Sequence, residues 1–277
     1  MRFACAWLLL ASARALACGE LVTLQTHDGT TTRYALSIPQ NAQGTLVLLA
    51  GGGGHLDLDA NGCAQDLKGN SLARSQALFR AEGFATALVD APSDHTGEDG
   101  LGGFRAQAAH AKDLGRVVAD VRARVTGPVW IVGTSRGAIS AANAASRLAG
   151  LEGVVLTSPV TVGTARGRKA WTAQTVFDKR IEDIRAPLLV VSHSADGCFR
   201  SPPAGARGIA DRYRGPRSQV VVVVVSGGAS GKGDACEGRS PPASRVSRAA
   251  KNTSALPARA PRVHNSRAFR TQTGVNV

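Results

Sequence analysis

Val129-Trp130-Ile131-Val132-Gly133-Thr134-Ser135-Arg136-Gly137-Ala138, continuing into Ile139-Ser140-Ala141-Ala142-Asn143-Ala144-Ala145, is the stretch that decides how the chain is read. Its apolar, largely β-branched opening has the composition of a buried parallel strand, and small helix-forming residues follow Gly137 and end before Gly150. A serine stands at the junction. Gly133 and Gly137 flank it in the G-x-S-x-G spacing, which lets the backbone turn sharply from strand to helix and holds Ser135 strained and exposed. That is how a hydrolase presents a nucleophile. With 32 glycines in 277 residues the five-residue string says little alone, and a glycine-flanked turn without chemistry is the alternative. The strand, the helix, and a glycine-rich loop and an aspartate elsewhere carry the weight.

Upstream, Leu21–Thr26 and Thr31–Ser37 read as two strands joined by His27-Asp28-Gly29-Thr30, where Asp-Gly favours a tight hairpin and His27 is a turn residue. Thr45–Ala50 is an almost wholly apolar strand ending at Gly51-Gly52-Gly53-Gly54-His55. Ligands gather outside the carboxyl ends of parallel strands, so this loop is expected beside the Ser135 turn, with His55 facing solvent. Leu56 to Asn70 is a polar loop over the site, Ser71–Glu82 an amphipathic helix, Thr86–Asp90 a strand and Gln107–Val125 a helix. Asp90, Asp94 and His95 are expected near the site, though caps and turns explain them equally.

Downstream, Gly153–Leu156 forms a short strand whose exit, Thr157-Ser158-Pro159, holds no carboxylate. The next strand, Leu188–Val191, therefore has to supply the acid from Ser192-His193-Ser194-Ala195-Asp196-Gly197-Cys198. Asp196 can also be read as a plain turn residue before Gly197. The loop and short helix between, with Trp171, are too brief for a large lid. Ala204–Tyr213 reads as a helix and the valine run Gln219–Val225 as a buried strand. Strand and helix alternate, which specifies an eight-stranded, mostly parallel sheet covered by helices on both faces.

With these residues in view the chain resembles the α/β-hydrolase superfamily, and in particular small exported bacterial carboxylesterase-like serine hydrolases without a lid. The resemblance rests on Leu46–His55, Ala87–Asp94, Val132–Gly137 and Val190–Cys198, with Gly227-Gly228 and Gly233–Cys236 extending it. It implies Ser135 as nucleophile, Asp196 as the acid that orients a histidine, and the backbone amides of Gly52, Gly53 and Arg136 as oxyanion donors. One part of the pattern is missing. The family places its catalytic histidine, usually before glycine, in the loop shortly after the segment ending at Cys236, where this chain has Ser240-Pro241-Pro242. Of the remaining histidines only His264 lies downstream of the acid, and an unanchored base is seldom held within reach of a hydroxyl. His193 and His110 do not stand at the family position and read as structural.

From Gly238 the chain is Arg, Ala, Ser and Pro without apolar periodicity, a composition that cannot bury enough surface to offset its ordering entropy. This abrupt change reads as a C-terminus in another frame. Three segments result: a signal peptide over 1–17, a hydrolase domain over 18–237 and a basic tail over 238–277. Arg2, the apolar run Phe3–Leu10 and Ala15-Leu16-Ala17 fit signal-peptidase cleavage before Cys18, and hence a periplasmic or secreted protein. Ala15-Leu16-Ala17-Cys18 is also a poor lipoprotein signal. No segment is apolar for long enough to span a bilayer.

Export would leave Cys18, Cys63, Cys198 and Cys236 able to pair in three ways, of which Cys198 with Cys236 staples two loops on one sheet edge. No C-x-x-C or H-x-x-x-H pair exists, so local spacing predicts no metal site and no cofactor. The formal charge of +13 is concentrated at one end: eight of the 33 Lys and Arg follow Glu237, with no acid among them. The remaining 25 basic against 20 acidic residues lack interleaved aromatics, which argues against a specific nucleic-acid partner. The implied partner is a small acyl substrate. A hydrolase-fold binding protein without turnover and a basic protein held on anionic surfaces by its tail are the competing readings.

Overall fold

The computed structural model describes residues 18–164, 169–216, 219–227 and Cys236. Eight strands form one sheet: β1 (Glu20–Gln25), β2 (Thr31–Ser37), β3 (Thr45–Leu49), β4 (Ala85–Val89), β5 (Val129–Thr134), β6 (Gly153–Thr157), β7 (Leu188–His193) and β8 (Val220–Val225). Their spatial order is β1-β2-β4-β3-β5-β6-β7-β8. The first two strands pair antiparallel with each other and β2 runs antiparallel to β4, while every neighbouring pair from β4 onward is parallel. The hairpin turns at Asp28 and Gly29, both in the left-handed region (φ 45° and 77°), as an Asp-Gly turn requires.

Four helices, α1 (Ser71–Ala81), α2 (Ala108–Arg124), α3 (Gly137–Ala145) and α4 (Gly205–Arg212), cover the two faces. Alternate residues of each strand divide between them. Val47, Ile131, Leu156 and Val190 face a core completed by Val117, Val121, Ile139 and Ile209. Leu46, Leu48, Leu88, Val132 and Leu189 face a second core closed by Leu72 and Phe79 of α1. This two-sided burial is why the central strands are apolar at nearly every position. Asn70 starts α1 by accepting the Leu72 N–H at 3.1 Å.

Three sequence expectations are corrected. The valine run of β8 is an edge strand rather than a buried one: Val221 and Val224 are 43% and 50% exposed, because among the described residues β8 has a neighbouring strand on one side only. The polar loop after the glycines lies beside Gly52 as expected, and only Leu56 and Leu58 at its start are buried in the second core, while Asp57, Asp66 and Lys68 stay exposed. His55 turns inward instead of facing solvent. Its Nδ1 lies 3.4 Å from the buried Asp90 carboxylate, which also accepts the N–H groups of Leu56 and Leu58 and the Arg33 guanidinium. Between β6 and β7 the expected short helix is a series of 3₁₀ turns, Ala170–Ala173, Val176–Asp178 and Ile181–Asp183.

Disulfides join Cys198 to Cys236 and Cys18 to Cys63, with Cα–Cα distances of 4.6 and 5.0 Å. A Cys18 sulfur held in this bridge carries no lipid. Among the described residues no helix is long and apolar enough to cross a membrane.

His110 of α2 is buried against Phe104, ring centroids 5.2 Å apart, and neither ring nitrogen has a hydrogen-bond partner among the described residues. Burial, then the nearby Arg105 charge, push its pKa down to about 3. Above pH 6.5 the ring is neutral in both folded and unfolded chains. Below it the unfolded chain takes up a proton that the folded one refuses, costing about 1.4 kcal/mol of stability per pH unit. Wild type should therefore lose about 2 kcal/mol from this residue between pH 6.5 and 5. In urea unfolding at both pH values His110→Leu is expected to lose that much less, and an equal loss would contradict the assignment.

Candidate active site

Strand β5 ends at Thr134 and helix α3 begins at Gly137, so Ser135 and Arg136 alone make the turn. Ser135 has φ 51°, a left-handed conformation that costs a non-glycine residue about 1–3 kcal/mol. It is held there. Its N–H donates to Thr157 O at 2.9 Å and its own carbonyl accepts the Ala138 N–H at 3.1 Å, opening the helix. The flanking glycines are required by space: a Cβ on Gly133 would sit 2.3 Å from Gly137 O, and one on Gly137 would sit 2.1 Å from Leu49 O. Strand, elbow and helix can approach this closely only without those side chains.

The glycine loop lies against the elbow. A Cβ on Gly51 would be 3.0 Å from the Ser135 Cβ, and Gly52 and Gly54 take positive φ values of 58° and 80°. Among the described residues the backbone N–H groups of Gly52, Gly53 and Arg136 donate to no protein acceptor. What fixes this loop was not legible in the sequence. Arg105, 1% exposed, donates to Ala50 O at 3.1 Å, Gly52 O at 3.3 Å and Ser140 Oγ at 2.8 Å, while Gly53 O accepts the Leu101 N–H at 2.8 Å. Asn143 of α3 in turn donates to the Arg105 and Gln107 carbonyls. Among the described residues no carboxylate pairs with Arg105, and burial, then the Arg136 charge, pull its pKa well below the arginine range. The only sequence signal was an arginine within Leu101-Gly102-Gly103-Phe104-Arg105-Ala106, which has no spacing to mark it.

The Arg136 side chain stacks over Trp171 at 3.7 Å to the ring centroid. Burial, then the neighbouring Arg200 charge, lower its pKa to about 10, with Asp99 opposing the shift.

Ser135 and Asp196 leave the same edge of the sheet, because β5 and β7 run parallel on either side of β6. Among the described residues no hydrogen bond joins them. Asp196 accepts the Cys198 N–H at 3.0 Å and donates its own N–H to His193 O, as a turn aspartate does. His193 is engaged on both ring nitrogens, Nδ1 accepting the Ala195 N–H and Nε2 lying 3.1 Å from Gly227 O. No described histidine is hydrogen-bonded to the Ser135 hydroxyl, and His264 lies outside the described residues.

No protein-family model matches the sequence, and no curated protein does. Solved structures do match. An α/β serine hydrolase without lid from Xanthomonas campestris shares 18% identity at TM-score 0.55, over 84% of this chain and 91% of that one. The chain has the α/β-hydrolase fold. Two further structures agree, each over 84% of this chain at 16% identity. Dienelactone hydrolase from Anabaena variabilis has TM-score 0.54 over 94% of its length, and Est1E from Butyrivibrio proteoclasticus, with ferulic acid bound, 0.55 over 97%. In the α/β-hydrolase fold the carboxyl ends of β3, β5 and β7 converge on one edge, where the glycine loop, Ser135 and Asp196 stand here.

Proposed function

We propose that the protein is an exported serine hydrolase of small esters or related acyl compounds. The left-handed Ser135 between two sterically required glycines carries the reading, since strain of this kind persists where a side chain must be presented. The named activities of the structural neighbours, serine hydrolase and esterase, support hydrolytic chemistry. In the proposed reaction the Ser135 oxygen attacks the acyl carbonyl, its proton passes to a base, and the free amides of Gly52, Gly53 and Arg136 hold the developing oxyanion. The alkoxide leaves as the alcohol with that proton. Water then releases the acid from the acyl-enzyme, with Asp196 orienting the base.

The base is the weak point of this chain. Without one the serine hydroxyl stays a poor nucleophile, and what turnover persists comes from binding and the oxyanion site. Ser240-Pro241-Pro242 at the place where the family has its histidine favours a second reading, a hydrolase-fold protein that binds acyl compounds without turnover. Hydrolysis of a short-chain nitrophenyl ester by wild type and Ser135→Ala separates the two. Added imidazole, standing in for the base, is expected to accelerate wild type at least about tenfold over Ser135→Ala. Equal rates for wild type and Ser135→Ala at the same imidazole concentration would favour the binder.

A further inference from the structure

We propose that His27, Asp94 and His95 form a binding site for a divalent transition-metal ion, with zinc the best fit. His27 is 67 residues from the adjacent pair Asp94 and His95, and the three converge because the β1–β2 hairpin turn packs beside the loop that leaves β4; the Ser93 N–H donates to Thr31 O at 2.8 Å. One potential ligand atom from each lies within 4.8 Å of the others. His27 Nε2 is 3.1 Å from Asp94 Oδ2, and His95 Nδ1 is 2.8 Å from Asp94 Oδ1. Two ligands on a tetrahedral zinc at its usual bond lengths stand roughly 3.3 Å apart, so drawing one atom from each residue together from within 4.8 Å closes the site around an ion. Two imidazoles and one carboxylate are a zinc-type donor set, and three protein ligands leave a fourth position for water.

The groups behind the ligands are built for the same task. His27 Nδ1 lies 2.6 Å from Oδ2 of Asp113, while Oδ1 of that buried carboxylate accepts the His27 backbone N–H at 3.0 Å. A carboxylate holding one ring nitrogen fixes the imidazole plane and leaves the other nitrogen to coordinate, the usual arrangement behind a metal-bound histidine. Nε2 then points at a second carboxylate, so a cation is needed between them, either a proton or a metal ion. Phe104 supports both rings, its centroid 4.7 Å from His27 and 4.2 Å from His95. Asp94, with 40% of its side chain exposed, leaves an entry path from solvent. Local spacing misses this site because its ligands come from two separate loops.

The test uses the untagged protein with both disulfides formed, stripped with a chelator and titrated with zinc by calorimetry and with cobalt by visible absorption. The expected result is a single zinc ion bound, four-coordinate cobalt bands, and a rise in melting temperature that the chelator reverses. His95→Ala should abolish the cobalt bands. Asp113→Asn, which removes no ligand, should weaken zinc binding about 10- to 100-fold. If that variant folds poorly, His27→Gln gives the same test from the ligand side. His110→Leu removes a nearby histidine outside the cluster and should leave affinity unchanged. No zinc binding by wild type, or equal affinity in wild type and His95→Ala, would overturn the proposal and leave the cluster as a hydrogen-bonded tie between two loops.

Discussion

Gly137→Ala is expected to lower the stability of the protein by about 3 kcal/mol or more, a large share of the usual total for a domain. The new methyl would lie 2.1 Å from Leu49 O and 2.8 Å from Ala50 O. Both are backbone atoms at the end of β3, inside a sheet with β4 on one side and β5 on the other, so neither can move aside cheaply. Helix α3 would have to back away and take the Ser135 turn with it. Guanidinium unfolding checks this against Gly69→Ala, where an added methyl meets nothing within 4 Å. Equal midpoints for the two variants would contradict the packing described for the elbow.

Arg105→Met is expected to separate positioning from stability. The methionine nearly fills the guanidinium's space, and removing a buried charge that no described carboxylate balances offsets the cost of leaving the Ala50, Gly52 and Ser140 oxygens without their donor. The carbonyls of Ala50 and Gly52 would lose their donor, however, and the glycine loop its anchor. If those amides hold the oxyanion as proposed, losing their preorganisation costs about 100-fold in rate. A fluorophosphonate probe should then label Arg105→Met about 100-fold more slowly than wild type while the melting temperature holds. Arg105→Lys, keeping one donor, should fall between. An unchanged labelling rate would remove the positioning role from Arg105.

The sheet was legible because its central strands are buried on both faces, and continuous apolar runs such as Leu46–Leu49 and Val129–Val132 have no other soluble use. The five residues Gly133 to Gly137 placed the elbow, since a turn this tight tolerates few side chains. The same reasoning failed at β8, where six valines signal a strand but not whether a neighbour covers it; it is an edge. Arg105 and the His27–Asp94–His95 group escaped for a different reason. Each takes its meaning from contacts between elements, Arg105 under the glycine loop and His27 across from a loop nearly seventy residues away. Local periodicity carries no trace of such contacts. Asp196 was legible as an aspartate at the exit of β7, on the same sheet edge as Ser135, and its described bonds are those of a turn.

Mapping the site of phosphonylation tests the central claim most directly. Folded full-length protein is incubated with a fluorophosphonate, with and without imidazole, and digested for mass spectrometry. The account predicts one modified peptide, containing Ser135, formed faster with imidazole and missing from Ser135→Ala. Modification at another residue, or none at Ser135 in protein shown to be folded, would contradict it.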